Sequence, residues 1–168
     1  MSTYEIRLAT AADDQAIGEL LVEAFEKTYA RKLPEVVMTD RRRAELRAVE
    51  QKRKVARVWA ALADGAVVGT VALWTPGAEG SEAWLPNAGS LRHLAVADAH
   101  RRGGLSSLLM DEAEGWAKKR GLAHICLHVR RSVTGVAKLY LRRGYRRVPE
   151  GDLDLLPEVF LEAFVLDL

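Results

Sequence analysis

A single cysteine, Cys126, stands in 168 residues. One thiol excludes an intrachain disulfide and a cysteine-based metal cage, so neither staple holds the fold, and a reducing compartment, the cytoplasm, is expected. No apolar run approaches the roughly 18 to 20 residues a spanning helix needs, and Met1 to Thr10 lacks the basic start and apolar stretch of a secretion signal. Internal repeats, linkers and low-complexity tracts are missing too, which leaves one domain over residues 1–168. What is there suits a globular chain: 49% of residues are hydrophobic and 29% charged.

The net charge is +2, a value that by itself points to no partner. By segment it is uneven: −4 over residues 1–40, +3 over 41–91, +9 over 92–147 and −6 over 148–168. A basic middle between acidic ends hints at an anionic ligand held by the middle, against the plainer reading of solvated helix faces.

Hydrophobic spacing sets the elements. Tyr4 to Leu8 alternates as a strand, and Thr10 with Asp13 forms a capping-box variant before a helix carrying Ile17, Leu20, Leu21, Ala24 and Phe25. Thr39 caps a second helix with a strongly basic face, from Arg41 to Lys54. Val55 to Leu62 and Ala66 to Trp74 are strands joined at Asp64-Gly65, a hairpin signal. A long loop over Thr75 to Ser90 precedes a strand from Leu91 to Ala97. Leu105, Leu108, Leu109, Ala113, Trp116 and Ala117 keep the helical period up to Gly121. His124 to Arg130 is a strand, Ser132 caps a helix carrying Val133, Val136, Ala137 and Tyr140, and strands around Tyr145 to Val148 and Glu158 to Leu166 close the chain. The expected fold is α/β or α+β: a mixed, mostly antiparallel sheet of six to seven strands flanked by about four helices. A helix between the fourth and fifth strands makes that pair parallel.

The informative segment is Leu94-Ala95-Val96, a short turn, and Arg101-Arg102-Gly103-Gly104-Leu105-Ser106-Ser107. A strand end passes through a glycine-rich turn into a helix N-terminus, where unpaired amides and the macrodipole suit phosphate. No acid stands between Gly104 and Ser107. A P-loop lysine and a Gly-x-Gly-x-x-Gly spacing are both missing, which disfavours nucleotide hydrolysis and a dinucleotide fold.

This segment resembles motif A of the GNAT superfamily of N-acetyltransferases, whose Gln or Arg, Gly, and Gly or Ala positions are taken by Arg101, Gly104 and Ser106. Ser106 departs from the usual Gly or Ala. Leu139-Tyr140 followed by Gly144-Tyr145 resembles the family's motif B. The resemblance covers nearly the whole chain and implies an acetyl-CoA site. The backbone of Leu94, Ala95 and Val96 would pair with the pantetheine arm, the amides of Arg102 to Ser107 would wrap the pyrophosphate, and the fourth and fifth strands would splay. Tyr140 would donate to the departing thiolate, with the plainer reading a core aromatic. Val133 stands where relatives often carry an Asn that bonds the pantetheine. Many relatives form homodimers through their C-terminal strands.

Relatives place a general base at positions matching Ser90 and Arg92, and neither residue is one. Strand alternation sends His93 to the face opposite Arg92 and Leu94. Glu82 and Glu26 are further candidates, and a water relay competes with all three. His124 and His128 lie four apart on a strand, too far to share an ion, so no metal site is expected. No Gly-x-Ser-x-Gly elbow surrounds Ser106 or Ser107, which leaves direct transfer in a ternary complex as the simpler mechanism.

For the acceptor, the resemblance implies a pocket bordered by residues 28–38 and 150–157. Acids at Glu19, Glu23, Glu26, Glu150, Asp152 and Asp154 would draw a cationic amine there, whether a small molecule or a peptide amine. Tyr29, Trp74 and Trp84 are candidate walls. Two readings compete: an acyl-CoA-binding regulatory module, motivated by Val133 and the missing base, and a nucleic-acid-binding protein using the basic face of residues 41–57.

Overall fold

The computed structural model describes residues 3–168. Five helices pack on the two faces of one eight-stranded sheet. In chain order these are β1 (Glu5–Leu8), α1 (Asp14–Lys32), α2 (Asp40–Arg47), α3 (Val49–Val55), β2 (Ala56–Ala63), β3 (Ala66–Trp74), β4 (Ala88–Val96), α4 (Leu105–Lys119), β5 (His124–Arg130), α5 (Thr134–Arg142), β6 (Arg146–Arg147), β7 (Leu153–Leu155) and β8 (Val159–Asp167). The strands lie in the order β1-β2-β3-β4-β5-β8-β6, with β7 on β8. All pairings are antiparallel except β4 with β5.

The local signals act as their chemistry dictates. The Thr10–Asp13 capping box forms, with the Thr10 amide donating to Asp13 at 2.8 Å. Asp64 and Gly65 both take positive φ, 50° and 79°, and turn the β2–β3 hairpin. The Arg42 amide donates to the Thr39 hydroxyl at 3.1 Å and starts α2.

Four expectations need correction. The basic second helix is two, because the chain breaks at Ala48 (ψ 54°), in a place marked by neither Gly nor Pro. β4 begins at Ala88 rather than Leu91 and pairs there with β5. The C-terminal connection contains β7, so the strands number eight. Ser132 does not cap α5: it sits at φ 85° and Val133 is the N-cap.

The sheet divides the core. One cluster joins Ile17, Leu20 and Leu21 of α1, Leu46 and Val49 of α2 and α3, and Val58, Ala60, Ala72, Trp74 and Ala95 of the sheet. The other joins Leu105, Leu109, Met110 and Ala113 of α4, Tyr140 and Tyr145, and Val71, Leu73, Val96 and Ile125. Leu108, read as periodic with these, is 42% exposed. Leu33, just past α1, packs with the α4–α5 cluster.

Two irregularities shape β4. Thr70 faces Ala95 and Ala72 faces Arg92, so Val71 alone opposes His93 and Leu94, a β-bulge with His93 at φ 59°. β4 and β5 pair only from Ala88/His124 to Ser90/Cys126, while β4 runs on to Val96 and β5 to Arg130. The two strands therefore splay.

Candidate active site

The glycine turn is built as its residues require. Arg102 and Gly104 take positive φ, 71° and 77°, and Gly104 is the N-cap of α4. A left-handed N-cap without a capping side chain leaves the first-turn amides of Leu105, Ser106 and Ser107 without intrahelical acceptors. No acidic side chain occupies that turn. Beneath it, the Tyr4 hydroxyl and His100 Nδ1 are 3.0 Å apart, and a Cβ on Gly103 would lie 3.3 Å from that hydroxyl.

Val96, Arg101, Arg102, Gly104, Leu105, Ser106 and Ser107 line one cleft of about 780 Å³, closed on its far side by Leu139, Arg142 and Arg143. Leu94, Ala95 and Gly103 belong to the same strand and turn without lining the cleft. Beyond Ser90 the β4 edge that faces β5 carries no strand. A dipole-polarised helix end, a glycine that lets a ligand reach the backbone and four cleft arginines fit a pyrophosphate-bearing molecule.

Tyr140 lies on α5, 6% exposed, its ring 5.6 Å from that of Tyr145. Burial pushes its phenol above the ordinary range. Tyr145 donates to Glu114 on α4 at 3.0 Å, and Arg143 donates to the same carboxylate at 2.9 and 3.1 Å. This clamp joins α5 to α4 beside the cleft. Spacing alone offered no signal for it, nor for the Tyr4–His100 contact across 96 positions of sequence. Val133 is 7% exposed and sits in the same core cluster as Tyr140, so it is a packing residue.

The candidate bases are engaged. Glu82 pairs with Arg92 at 2.9 Å and Glu26 with Arg43 at 2.7 Å. The alternation argument for His93 fails because the bulge turns Arg92 and His93 to one face. Arg92 lies over the Trp74 ring at 4.6 Å and the His93 ring is 5.6 Å from the same ring.

Four of the six acids expected to attract a cation are paired with basic side chains, and among the described residues Asp154 accepts only from the Leu156 amide. Glu19 binds Arg47 at 2.8 Å, Glu23 binds Lys27 at 2.7 Å, and Asp152 accepts from Arg147 at 2.5 and 2.7 Å. On α2 and α3, Arg43 and Arg47 meet Glu26 and Glu19 of α1 and Arg53 meets Asp14 at 2.7 Å, while Arg41 stays 91% exposed. His124 bonds Asp167 and His128 bonds the Gly151 carbonyl, both at 2.8 Å. No metal-holding cluster occurs among the described residues. Trp74 is core, Trp84 packs on His128, and Tyr29 meets Phe25 and Arg130. Among the described residues no helix is long and apolar enough to cross a membrane.

Comparison with known proteins fits this geometry. Residues 14–145 match the model of the acetyltransferase (GNAT) family. The chain belongs to the GNAT family. An acetyltransferase of the GNAT family from Staphylococcus aureus Mu50 is 15% identical, with 98% of this chain and 99% of that one aligned at a TM-score of 0.77. The PaiA N-acetyltransferase of Thermoplasma acidophilum, solved in complex with coenzyme A, is 20% identical over 96% and 98% of the chains, with a TM-score of 0.70. A ribosomal-protein-alanine N-acetyltransferase from Brucella melitensis is 22% identical over 98% and 99%, with a TM-score of 0.68. No curated protein matches the sequence. Acetyl-CoA is the acetyl donor of the GNAT family.

Proposed function

We propose that this GNAT chain moves the acetyl group of acetyl-CoA to a primary amine by direct attack, with both substrates bound together. One observation carries the reading: β4, its edge open beyond Ser90, leads through a short turn into an acid-free helix N-terminus capped by a left-handed Gly104. On this reading the backbone of Leu94, Ala95 and Val96 pairs with the pantetheine arm as an added strand would. The amides of Arg102, Gly103, Gly104, Leu105, Ser106 and Ser107 wrap the pyrophosphate, and Arg101 adds positive charge beside them. Acetyl-CoA supplies the activated thioester.

Tyr140 is the side chain that serves departure of the thiolate. A phenol is protonated at neutral pH and burial raises its pKa further, so it arrives as a donor. Replacement of Tyr140 with Phe should lower turnover by about a hundredfold while acetyl-CoA affinity stays near wild type. A turnover number unchanged in Tyr140→Phe would overturn this role.

The test of the function is thiol release from acetyl-CoA across a panel of amines, from small molecules to peptides. Amine-dependent release is expected. Tight coenzyme A binding with no release from any amine would replace it with the acyl-CoA-binding module, motivated by Val133 in place of the family Asn and by the missing base. The nucleic-acid alternative is weakened, since three arginines of its basic face, Arg43, Arg47 and Arg53, pair with acids of α1.

A further inference from the structure

On the α1–α3 face of the sheet, at the β4 bulge, positive charge gathers with too few acids to match it. Lys52 is 6% exposed, and its Nζ lies 3.0 Å from His93 Nδ1. The His93 ring meets Trp74 and Phe25 edge-on, at 5.6 and 6.3 Å. Arg92 lies over Trp74 at 4.6 Å and Arg42 over Phe25 at 5.4 Å. Three cations thus surround one aromatic trio.

The charged groups of every neighbouring element can be accounted for. On α2, Arg42 meets Glu45 at 3.3 Å, and from the loop before β4 Glu82 meets Arg92 at 2.9 Å. On α1, Asp14 is held by Arg53 of α3 and Glu26 by Arg43 of α2, each at 2.7 Å. That leaves Lys52 with no carboxylate at pairing distance among the described residues. Its ammonium donates one N–H to Nδ1, which fixes the ring proton on Nε2. Nε2 is buried and has no partner. Buried donors without acceptors are uncommon in folded proteins. The strain shows in the titration: burial first, then Arg92 and Arg42, bring Lys52 down to about 7. Burial and the same three cations hold His93 well below the usual imidazole range.

We propose, resting on the acetyl-transfer reading above, that this cluster binds a carboxylate carried by the amine acceptor, with Lys52 and His93 as donors and Arg42 and Arg92 at its rim. The surplus is one positive charge, which matches a single carboxylate. The bulge puts the His93 and Leu94 side chains on opposite faces of the sheet, and both residues lie beyond Ser90, where the β4 edge carries no strand, so the proposed acid sits beside that open edge. An acceptor of this class is an amino acid or a peptide with an acid near its amine, recognised by that acid rather than by the ammonium charge that the sequence suggested.

The test uses reaction products, so that it does not depend on turnover. With coenzyme A present, calorimetry compares N-acetylalanine with its carboxamide on the wild type, on Lys52→Met and on Arg42→Gln, a partly exposed position that guards against misfolding of the first variant. At about pH 6 the acid should bind the wild type roughly tenfold or more tighter than the amide. Lys52→Met should erase that preference and Arg42→Gln reduce it. Above about pH 7 the free enzyme loses the Lys52 proton, so acid affinity should fall about tenfold per pH unit while amide affinity holds. Equal binding of acid and amide, or a preference that survives both variants, overturns the proposal. Acid-selective binding without amine-dependent thiol release would leave the carboxylate site standing and remove the acetyl-transfer reading instead.

Discussion

Gly104 runs at φ 77°, and a Cβ there would meet nothing within 4 Å. The space is open and only the backbone objects, so Gly104→Ala should cost about 1 to 2 kcal/mol through left-handed strain alone. Because the same backbone is proposed to hold the pyrophosphate, coenzyme A affinity should fall with it. Gly103→Ala is the control: its Cβ would lie 3.3 Å from the Tyr4 hydroxyl, the far end of a side chain that can give way. Urea titration and coenzyme A calorimetry on both variants check this, and equal effects would remove the special place of Gly104. Such glycines are legible in a sequence because the chemistry is local. Lys52 and His93 are not, since 41 positions separate them and only the bulge brings them together.

At the scale of elements, α4 and the hairpin that ends in Trp74 follow their patterns, and the strand-turn-helix that shapes the cleft is readable from Leu94 to Ser107. The misses share a cause: each is a departure from regularity that no single residue announces. Ala48 breaks a basic helix with a residue that favours helices. The bulge at His93 breaks period-two alternation and puts two successive polar side chains on one face. The α4–α5 clamp is equally silent, and it carries a prediction. Arg143 and Glu114 have side chains only 15% and 16% exposed, and Tyr145 donates to that same carboxylate. Arg143→Ala leaves Glu114 partly buried without its cation and should destabilise the protein by about 2 to 4 kcal/mol. Glu114→Gln in the Arg143→Ala background should recover part of the loss, because the unpaired charge is gone. A double-mutant cycle by urea unfolding measures the coupling, and a value near zero would mean that the helices are held by packing alone.

Across the whole molecule the uneven charge seen along the chain turns into stitching. Arg47 and Arg53 of the middle meet Glu19 and Asp14 near the start, while Arg146 and Arg147 meet Asp167 and Asp152 near the end. These pairs, with Lys52 and the buried tyrosines, set an unusual dependence of stability on pH. Asp13 is held low by Arg7, and Asp152 by Arg147, so their contribution is present above about pH 4 and lost as pH falls further. Lys52 acts in the other direction. Its folded pKa of about 7 lies below the unfolded value, so the folded state carries the full penalty of a buried charge below pH 7. That penalty is relieved as pH rises toward about 10, where the unfolded lysine also loses its proton. Tyr140 and Tyr145 have raised pKa values, and their contribution is lost only above about pH 10. The profile should therefore fall below about pH 4, stay level to about 7, climb to a maximum between about 9 and 10, and fall again. Lys52→Met should abolish the climb and raise the level stretch by roughly 2 to 5 kcal/mol, the scale of a pKa lowered by some three units. Urea midpoints taken at intervals across this range test both statements, and a wild-type curve that stays flat from about pH 7 to 10 would show that Lys52 is solvated in the folded protein.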